Sequence, residues 1–219
     1  QDLGAMMFTP EKKGSFQSDF IGAARRLGLM TVQVSGLRSI LREVGDNHPV
    51  VVLENLGSSQ NPLWHYAVLH GYDLSQKEAV FHSGKDANLI LDLAAFERLW
   101  SGADYWAVVV LKAGALPSTS TALENLNAAS SLERVGKNQE ANLAYRSISE
   151  KFPDSVGAYF GLGNTFAALG NYRKSALAFE KASVLLPQSA AVWNNLTEVY
   201  LKLGEKKRAS RAALKAKSP

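Results

Sequence analysis

Four histidines are the residues of this 219-residue chain best suited to acid–base or metal chemistry. A neutral imidazole can accept a proton near physiological pH and can bind a metal ion. His65 and His70 lie an odd number of residues apart in one predicted strand, so they are expected to face opposite sides of it. His82 lies on the next predicted strand, but no carboxylate cluster completes a metal site there. His48 precedes Pro49 and is expected in a loop. We therefore expect no metal and no cofactor.

The chain has no cysteine, which excludes disulfides, thiolate metal sites and a thiol nucleophile within this sequence. It also lacks a glycine-rich phosphate loop after a strand and a Gly-x-Ser-x-Gly elbow. No apolar run approaches the roughly 18 residues of a membrane-spanning helix. The aromatic residues lie at packing positions rather than alternating with basic residues, which disfavours nucleic-acid binding. Because the sequence starts with Gln1, we expect that an upstream segment has been removed.

Positive charge is concentrated near the C-terminus. Between Lys202 and Lys217 the chain has seven cationic residues and one acid, Glu205, whereas the net charge of the whole chain is +4. Cations near the end of a helix suit its dipole, so this stretch could simply be a solvated end of the helical region. Alternatively, a basic terminal helix could contact phosphate or anionic lipid. Both interpretations are kept.

The elements that must position the histidines are predicted from hydrophobic periodicity. Helical spacing is found at residues 16–27, 36–44 and 93–100, and extended patterns at residues 30–34, 49–53, 64–72, 78–82 and 105–111. Helices followed by a mostly antiparallel sheet indicate an α+β domain. Residues 117–121, Pro-Ser-Thr-Ser-Thr, form a short polar linker that marks the domain boundary.

Five segments between residues 13 and 112 occur in a familiar order: GSFQSDFIGAARRLGL, HPVVVLENL, WHYAVLHGYD, VFHSG and FERLWSGADYWAVVVL. This order resembles the C-terminal part of the bacteriocin-processing, double-glycine-type cysteine peptidases, which have a papain-like fold. The resemblance implies that His65 is the catalytic histidine and that Ser83 stands where the family has an acid. The family's cysteine and the preceding glutamine lie on a helix that would precede Gln1. We therefore expect no catalytic activity from this chain alone.

The C-terminal half has a period of 34 residues. Large side chains, small residues, turn glycines and prolines recur at this spacing: Leu132, Phe166 and Tyr200; Tyr145 and Phe179; Ala182 and Ala216; Gly136, Gly170 and Gly204; Pro153 and Pro187. This pattern resembles the tetratricopeptide family, with repeats at about residues 122–155, 156–189 and 190–219. The first repeat is weaker because Asn125 and Ala129 replace the usual aromatic residue and glycine. Terminal repeats are often atypical.

The resemblance implies a ligand groove lined by the first helix of each repeat. The residues expected there are Phe160, Asn164, Asn194, Glu198 and Leu201. Some relatives grip a peptide's terminal carboxylate with Lys, Asn and Arg. This sequence offers Asn164 and Asn195, but Leu126 and Ala191 replace the basic residues. We therefore expect no carboxylate clamp.

The predicted fold is thus an α+β, partial papain-like domain at residues 1–115, followed by an all-α tetratricopeptide domain at residues 116–219. The first functional hypothesis is a peptidase-like protein whose repeats bind a peptide or protein. The second is a non-catalytic scaffold or assembly protein, which the replacement of the family acid by Ser83 suggests. A homodimer is expected if the partial domain exposes apolar surface. The resemblance also implies a bacterial envelope or periplasmic location, with a removed or lipidated leader.

Overall fold

The structure is a computed structural model, and it describes residues 15–217. Within this range the chain forms nine helices and six strands. The first part contains α1 (Gln17–Arg26), β1 (Leu29–Gln33), α2 (Leu37–Gly45), β2 (Val50–Asn55), β3 (Trp64–Asp73), β4 (Glu78–Ser83), β5 (Asp86–Asp92), α3 (Leu93–Ser101) and β6 (Ala107–Lys112). The second part contains α4 (Ala122–Arg134), α5 (Asn138–Lys151), α6 (Val156–Ala168), α7 (Tyr172–Leu185), α8 (Ala190–Lys202) and α9 (Lys206–Ala216). None of the helices between residues 15 and 217 is both long and apolar enough to cross a bilayer.

The six strands form one sheet in the order β1-β6-β2-β3-β4-β5. In the series β6-β2-β3-β4-β5 each strand is antiparallel to the next, as the sequence predicts. In this register Val52 pairs with Ala67 and Glu54 pairs with His65. Because side chains alternate between the faces of a sheet, each such pair lies on one face.

One face of the sheet forms the core of this region. Val50, Val52 and Phe81 point into the same buried cluster as Phe96 and Trp100 of helix α3. The rings of Phe96 and Trp100 stack with their centroids 5.4 Å apart. The indole N–H of Trp100 donates to the carbonyl of Trp106 over 2.9 Å, which satisfies a polar group that is otherwise enclosed. The predicted helix at 93–100 therefore covers the sheet.

Strand β5 is the element that hydrophobic periodicity did not predict. It pairs with β4 through a tight turn in which Ser83 faces Asp86 and Gly84 has φ of +59°. Only Leu89 and Leu91 turn towards the core, and most of the strand is exposed. Its short polar and apolar alternation is too weak to identify an edge strand from sequence.

The predicted polar linker at residues 117–121 is held in place rather than free. The buried carboxylate of Glu43 in α2 accepts hydrogen bonds from the backbone N–H groups of Ser118 and Thr119, at 3.0 and 2.6 Å, and from the Thr119 hydroxyl at 2.6 Å. The His48 ring lies 2.9 Å from the same carboxylate. Burial alone would raise the pKa of Glu43, but the hydrogen bonds from Thr119, His48 and Ser118 outweigh it and lower the pKa.

Helices α4 to α9 form three hairpins with the predicted 34-residue period. The turn glycines Gly136, Gly170 and Gly204 have φ of 76°, 76° and 77°, a region that side-chain-bearing residues rarely adopt. The amide after each glycine donates to the carbonyl of the large residue five positions earlier, as from Asn171 to Phe166 at 2.8 Å. This pattern ends the first helix of each hairpin with satisfied carbonyl groups.

The chain divides into two compact units that interleave along the sequence. Among the described residues, the first contains residues 15–30, 112–116 and 125–217, and the second contains residues 31–111 and 117–124. Helix α1 thus belongs to the same unit as the repeat helices. Consistent with that grouping, burial and the nearby Arg134 guanidinium lower the pKa of Arg25. The family-domain boundary at residue 115, which the linker suggested, stays a prediction.

Candidate functional site

The sheet brings together the two residues that the peptidase resemblance singled out. Nε2 of His65 on β3 lies 2.7 Å from Oγ of Ser83 at the end of β4, and both side chains are half-buried. Strand pairing makes this contact possible, since residues 18 positions apart in sequence lie on adjacent strands. A catalytic imidazole needs one ring nitrogen for the nucleophile and a partner on the other to orient the ring. Ser83 is the partner of one ring nitrogen of His65, and a catalytic role for the pair stays a prediction.

A buried acid lies beside this pair, on the neighbouring strand β2. Glu54 on β2 is directly paired with His65, and only 2% of its surface is exposed. Its Oε1 has no hydrogen-bond partner among the described residues. Burial raises the pKa of Glu54 to about 7. This carboxyl group was not among the residues predicted for a site; its signal in the sequence is an acid directly after the apolar run from Val50 to Leu53.

The other histidines serve different contacts. His70 Nε2 lies 3.1 Å from the backbone carbonyl of Ala87, and His48 lies beside Glu43. His82 is exposed on β4. Among residues 15–217 no group of three His, Asp or Glu side chains is placed to hold a metal ion.

The second candidate site is the surface formed by the first helices of the hairpins, α4, α6 and α8. On α8, Asn194, Glu198 and Leu201 are exposed, and Leu201 exposes 57% of its surface. On α6, Phe160 and Asn164 are only half-buried. All five residues that were predicted for a groove therefore retain accessible surface.

Two of these five residues also make contacts within the protein. The Phe160 ring packs edge-to-face against Phe179 with their centroids 5.5 Å apart, so Phe160 also supports the core. The Asn195 side-chain amide donates to the Asn164 carbonyl oxygen over 3.3 Å. This bond joins α6 to α8 on the same surface. Each amide group keeps further donors or acceptors that a ligand could use.

The helices behind this surface are packed closely. Gly161 of α6 lies against the Tyr145 ring, so that a Cβ at Gly161 would overlap the ring. The Tyr145 hydroxyl donates to Glu133 over 2.9 Å, and burial together with this acid raises the pKa of Tyr145. The buried amide of Asn142 donates to the Thr165 hydroxyl over 2.8 Å. The first of these hydrogen bonds joins the two helices of one hairpin and the second joins adjacent hairpins, and sequence periodicity alone did not indicate either.

Comparison with family models decides what these hairpins are. A tetratricopeptide repeat model matches residues 126–190 and, overlapping them, residues 163–218. The hairpins are tetratricopeptide repeats. The two matches together cover residues 126–218, and they confirm that this region contains the tetratricopeptide repeats that the 34-residue period predicts.

Solved structures of other proteins are also similar to part of the chain. "Crystal structure of MamA" has 21% identity and a TM-score of 0.43, covering 45% of this chain and 58% of its own. "MamA MSR-1 C2" has 21% identity and a TM-score of 0.42, covering 44% and 56%. YrrB, described as "a TPR protein with an unusual peptide-binding site", has 26% identity and a TM-score of 0.42, covering 44% and 50%. The match thus spans between 50% and 58% of these structures. The comparison with curated proteins found no match.

The tetratricopeptide resemblance places Leu126 of α4 and Ala191 of α8 where some relatives have the basic residues that grip a carboxylate. Asn164 and Asn195, which the resemblance places at the amide positions, bond to each other. The absence of a carboxylate clamp stays a prediction. The papain-like architecture of the sheet also stays a prediction, because the family model that matches covers residues 126–218, outside the sheet.

Proposed function

We propose that the tetratricopeptide surface of α4, α6 and α8 binds an extended segment of another protein. The observation that supports this is the row of accessible amides, Asn164, Asn194 and Asn195, on two adjacent first helices. An amide offers both donors and acceptors, which suits the N–H and C=O groups of an extended backbone. The closely packed hairpins hold these amides in place, so little ordering is required when the ligand binds.

The same surface suggests which side chains the ligand presents. Leu201 and the exposed part of Phe160 favour an aliphatic or aromatic side chain. The exposed carboxylate of Glu198 lies one helical turn from Asn194 and Leu201 and favours a cationic residue in the ligand. Because no basic pair is present, an internal segment is preferred over a terminal carboxylate.

The experiment is a peptide-array selection with the full chain, followed by affinity measurement for the best peptide. Asn194→Ala is the main variant, since its side chain is exposed and its loss leaves the core intact. We expect a loss of affinity of about fivefold to tenfold for one lost hydrogen bond. Gln139→Ala, an equally exposed amide on α5, is the matched control and should bind as the wild type does. Equal affinity of the Asn194→Ala variant would exclude this surface as the binding site.

A second candidate function rests on the hydrogen bond between His65 and Ser83. We infer that the sheet belongs to a peptidase-like domain and that the repeats recruit its substrate or a partner. A hydroxyl orients an imidazole more weakly than a carboxylate does, and this sequence has no cysteine, so a thiolate would have to come from another segment. The alternative is a non-catalytic scaffold of the bacterial envelope, in which the pair is structural.

The two alternatives are distinguished by cleavage assays on the natural full-length product. Thiol-dependent peptide hydrolysis that is lost in His65→Ala and increased in Ser83→Asp would support the peptidase. Folded protein without any hydrolysis in wild type and Ser83→Asp would support the scaffold. Light scattering on the same samples tests the proposed homodimer.

A further inference from the structure

The second helices of the last two hairpins, α7 and α9, have an unusual charge composition. Together they contain eight cationic residues and one acid, Glu180. Arg208 of α9 pairs with that acid, lying 2.5 Å from Glu180, and also lies 2.8 Å from Glu205, which immediately precedes α9. The ion pair between Arg208 and Glu180 also joins α7 to α9. The remaining cations on these two helices therefore have no acidic counterpart on either helix.

On α7 the exposed side is a mixture of cationic and aliphatic side chains. Arg173, Leu177, Lys181 and Val184 follow one another at spacings of three or four residues, which places them along one stripe of the helix. Leu177 exposes 64% of its surface and Val184 exposes 73%. Lys181 lies over the Tyr159 ring at 5.9 Å, an arrangement that leaves its charge in place.

Helix α9 repeats this arrangement. Lys207, Arg211 and Leu214 are spaced by four and three residues, and all three are exposed, Leu214 by 68%. Neither Lys207 nor Arg211 has an ion pair or ring contact within residues 15–217. The opposite side of α9 is fixed in the protein core through Ala209 and Ala212. We call the exposed sides of α7 and α9, with Arg173, Leu177, Lys181, Lys207, Arg211 and Leu214, the outer basic surface.

We propose that the outer basic surface docks on the headgroup region of an anionic phospholipid bilayer. Lysine and arginine near a membrane are attracted to anionic headgroups, and each contributes separately. The isolated aliphatic side chains between them can enter the boundary between headgroups and acyl chains without needing a complementary pocket. This combination distinguishes the surface from a nucleic-acid site, where aromatic side chains would be expected to stack on bases.

The site is separate from the peptide surface. Docking uses the second helices α7 and α9, whereas the proposed ligand contacts the first helices α6 and α8. A protein bound through the outer basic surface would therefore keep Asn194 and Glu198 available. The membrane proposal is independent of the proposed peptide binding, and either one can fail alone.

The experiment is vesicle flotation with the full chain. The vesicles contain phosphatidylcholine with 30 mol% phosphatidylglycerol (about one third anionic lipid, enough to raise the local surface potential), compared with phosphatidylcholine alone. We expect binding to the anionic vesicles only, and a steep loss of binding as salt is raised, since the interaction is screened. No binding to anionic vesicles, or equal binding to neutral ones, would overturn the proposal. An RNA oligomer and a poly-glutamate peptide are tested in parallel, and binding to either without vesicle binding also overturns it.

Variants locate the surface. Lys207→Glu combined with Arg211→Glu should weaken binding by more than about 20-fold, at roughly fivefold for each lost cation. Arg173→Glu combined with Lys181→Glu makes the same charge reversal on α7. Because α7 lies between other helices in the sequence, the binding of this variant does not depend on whether the last helix, α9, remains folded. Arg38→Glu with Lys85→Glu, two exposed residues of the sheet unit, is the matched control and should bind within about twofold of wild type. Unchanged binding of both helix variants, with native circular dichroism, would exclude this surface.

The aliphatic residues provide a second readout. Leu177→Gln with Leu214→Gln preserves all charges and the helix propensity. We expect weaker binding to anionic vesicles at high salt, where the apolar contribution is the larger remaining part. Unchanged binding at high salt would show that these side chains do not enter the bilayer and would overturn that part of the proposal.

Discussion

Nε2 of His65 and Oγ of Ser83 share a hydrogen bond of 2.7 Å across two adjacent strands of the sheet. The contact fixes the orientation of a half-buried imidazole whether or not the pair takes part in catalysis. In a peptidase-like site it would hold the ring so that its other nitrogen is directed at a nucleophile.

Removal of this hydroxyl is the first prediction. Ser83→Ala should lower the free energy of unfolding by about 0.5–1.5 kcal/mol, because one partly buried hydrogen bond is lost. The ring ¹⁵N resonance of His65 Nε2 in NMR spectra should shift as its partner disappears. Ser59→Ala, an exposed serine in the loop before β3, should change neither quantity. An unchanged His65 resonance in Ser83→Ala would show that the bond is not formed in solution.

The buried carboxyl of Glu54 predicts a decrease of stability with rising pH. Its pKa is about 7 in the folded protein against 4.5 for an ordinary glutamate, so the folded state binds more protons between these values. Stability contributed by the neutral group is therefore complete at low pH and is lost as the pH rises towards and past 7. From pH 5 to pH 8 the loss attributable to Glu54 should be about 2–3 kcal/mol.

Urea unfolding at the two pH values tests this expectation. Glu54→Gln keeps the shape of the side chain but cannot ionise. Between pH 5 and pH 8 this variant should therefore lose about 2–3 kcal/mol less stability than the wild type does. Glu97→Gln, on the exposed side of α3, should follow the wild type. Parallel pH profiles for Glu54→Gln and wild type would contradict a raised pKa at this position.

Glu43 should show the opposite pH dependence. Its hydrogen bonds with Thr119, His48 and Ser118 lower its pKa, so its ionised form stabilises the fold above the ordinary value of 4.5. This stability is lost as the pH falls below that value. At pH 7, Glu43→Gln should cost about 2–3 kcal/mol, since several hydrogen bonds to a charged acceptor are weakened together.

Limited proteolysis adds a readout for Glu43 that global unfolding lacks. In Glu43→Gln, residues 117–121 should become more accessible to protease, because their backbone N–H groups lose the carboxylate. Asp46→Asn, one helical turn away and exposed, is the control. Equal cleavage rates in Glu43→Gln and wild type would show that other contacts hold the segment.

The packing of Gly161 against Tyr145 predicts that added volume destabilises the repeats. A Cβ at Gly161 would overlap the aromatic ring, so Gly161→Ala should cost about 1–3 kcal/mol despite the better helix propensity of alanine. At Gly22 in helix α1 a Cβ meets only the end of the Arg26 side chain, at 3.4 Å. Gly22→Ala should therefore be neutral or stabilising by up to about 1 kcal/mol. Thermal unfolding of the pair measures both effects, and equal midpoints would contradict the close packing.

The helical repeats could be read from the sequence because their determinants are local. A turn with positive φ favours glycine, and the helices on either side need large residues at set positions. These two requirements produce the 34-residue period, so the period predicts the helical hairpins. Thr121, Ser155 and Ser189 also recur at this period, and their side chains accept hydrogen bonds from the first turns of α4, α6 and α8. Each of these contacts lies within a few residues along the chain.

Contacts between distant residues were decided only by tertiary structure. Strand register places His65 beside Ser83 and opposite Glu54, and a shift by one residue would have turned each side chain to the other face. Burial acts to raise the pKa of both Glu43 and Glu54, but the net shifts are opposite, because Glu43 accepts several hydrogen bonds whereas Oε1 of Glu54 accepts none from the described residues. Residue type and periodicity therefore determined the elements and the repeats, whereas register and burial determined the partners and the charge state of each polar group.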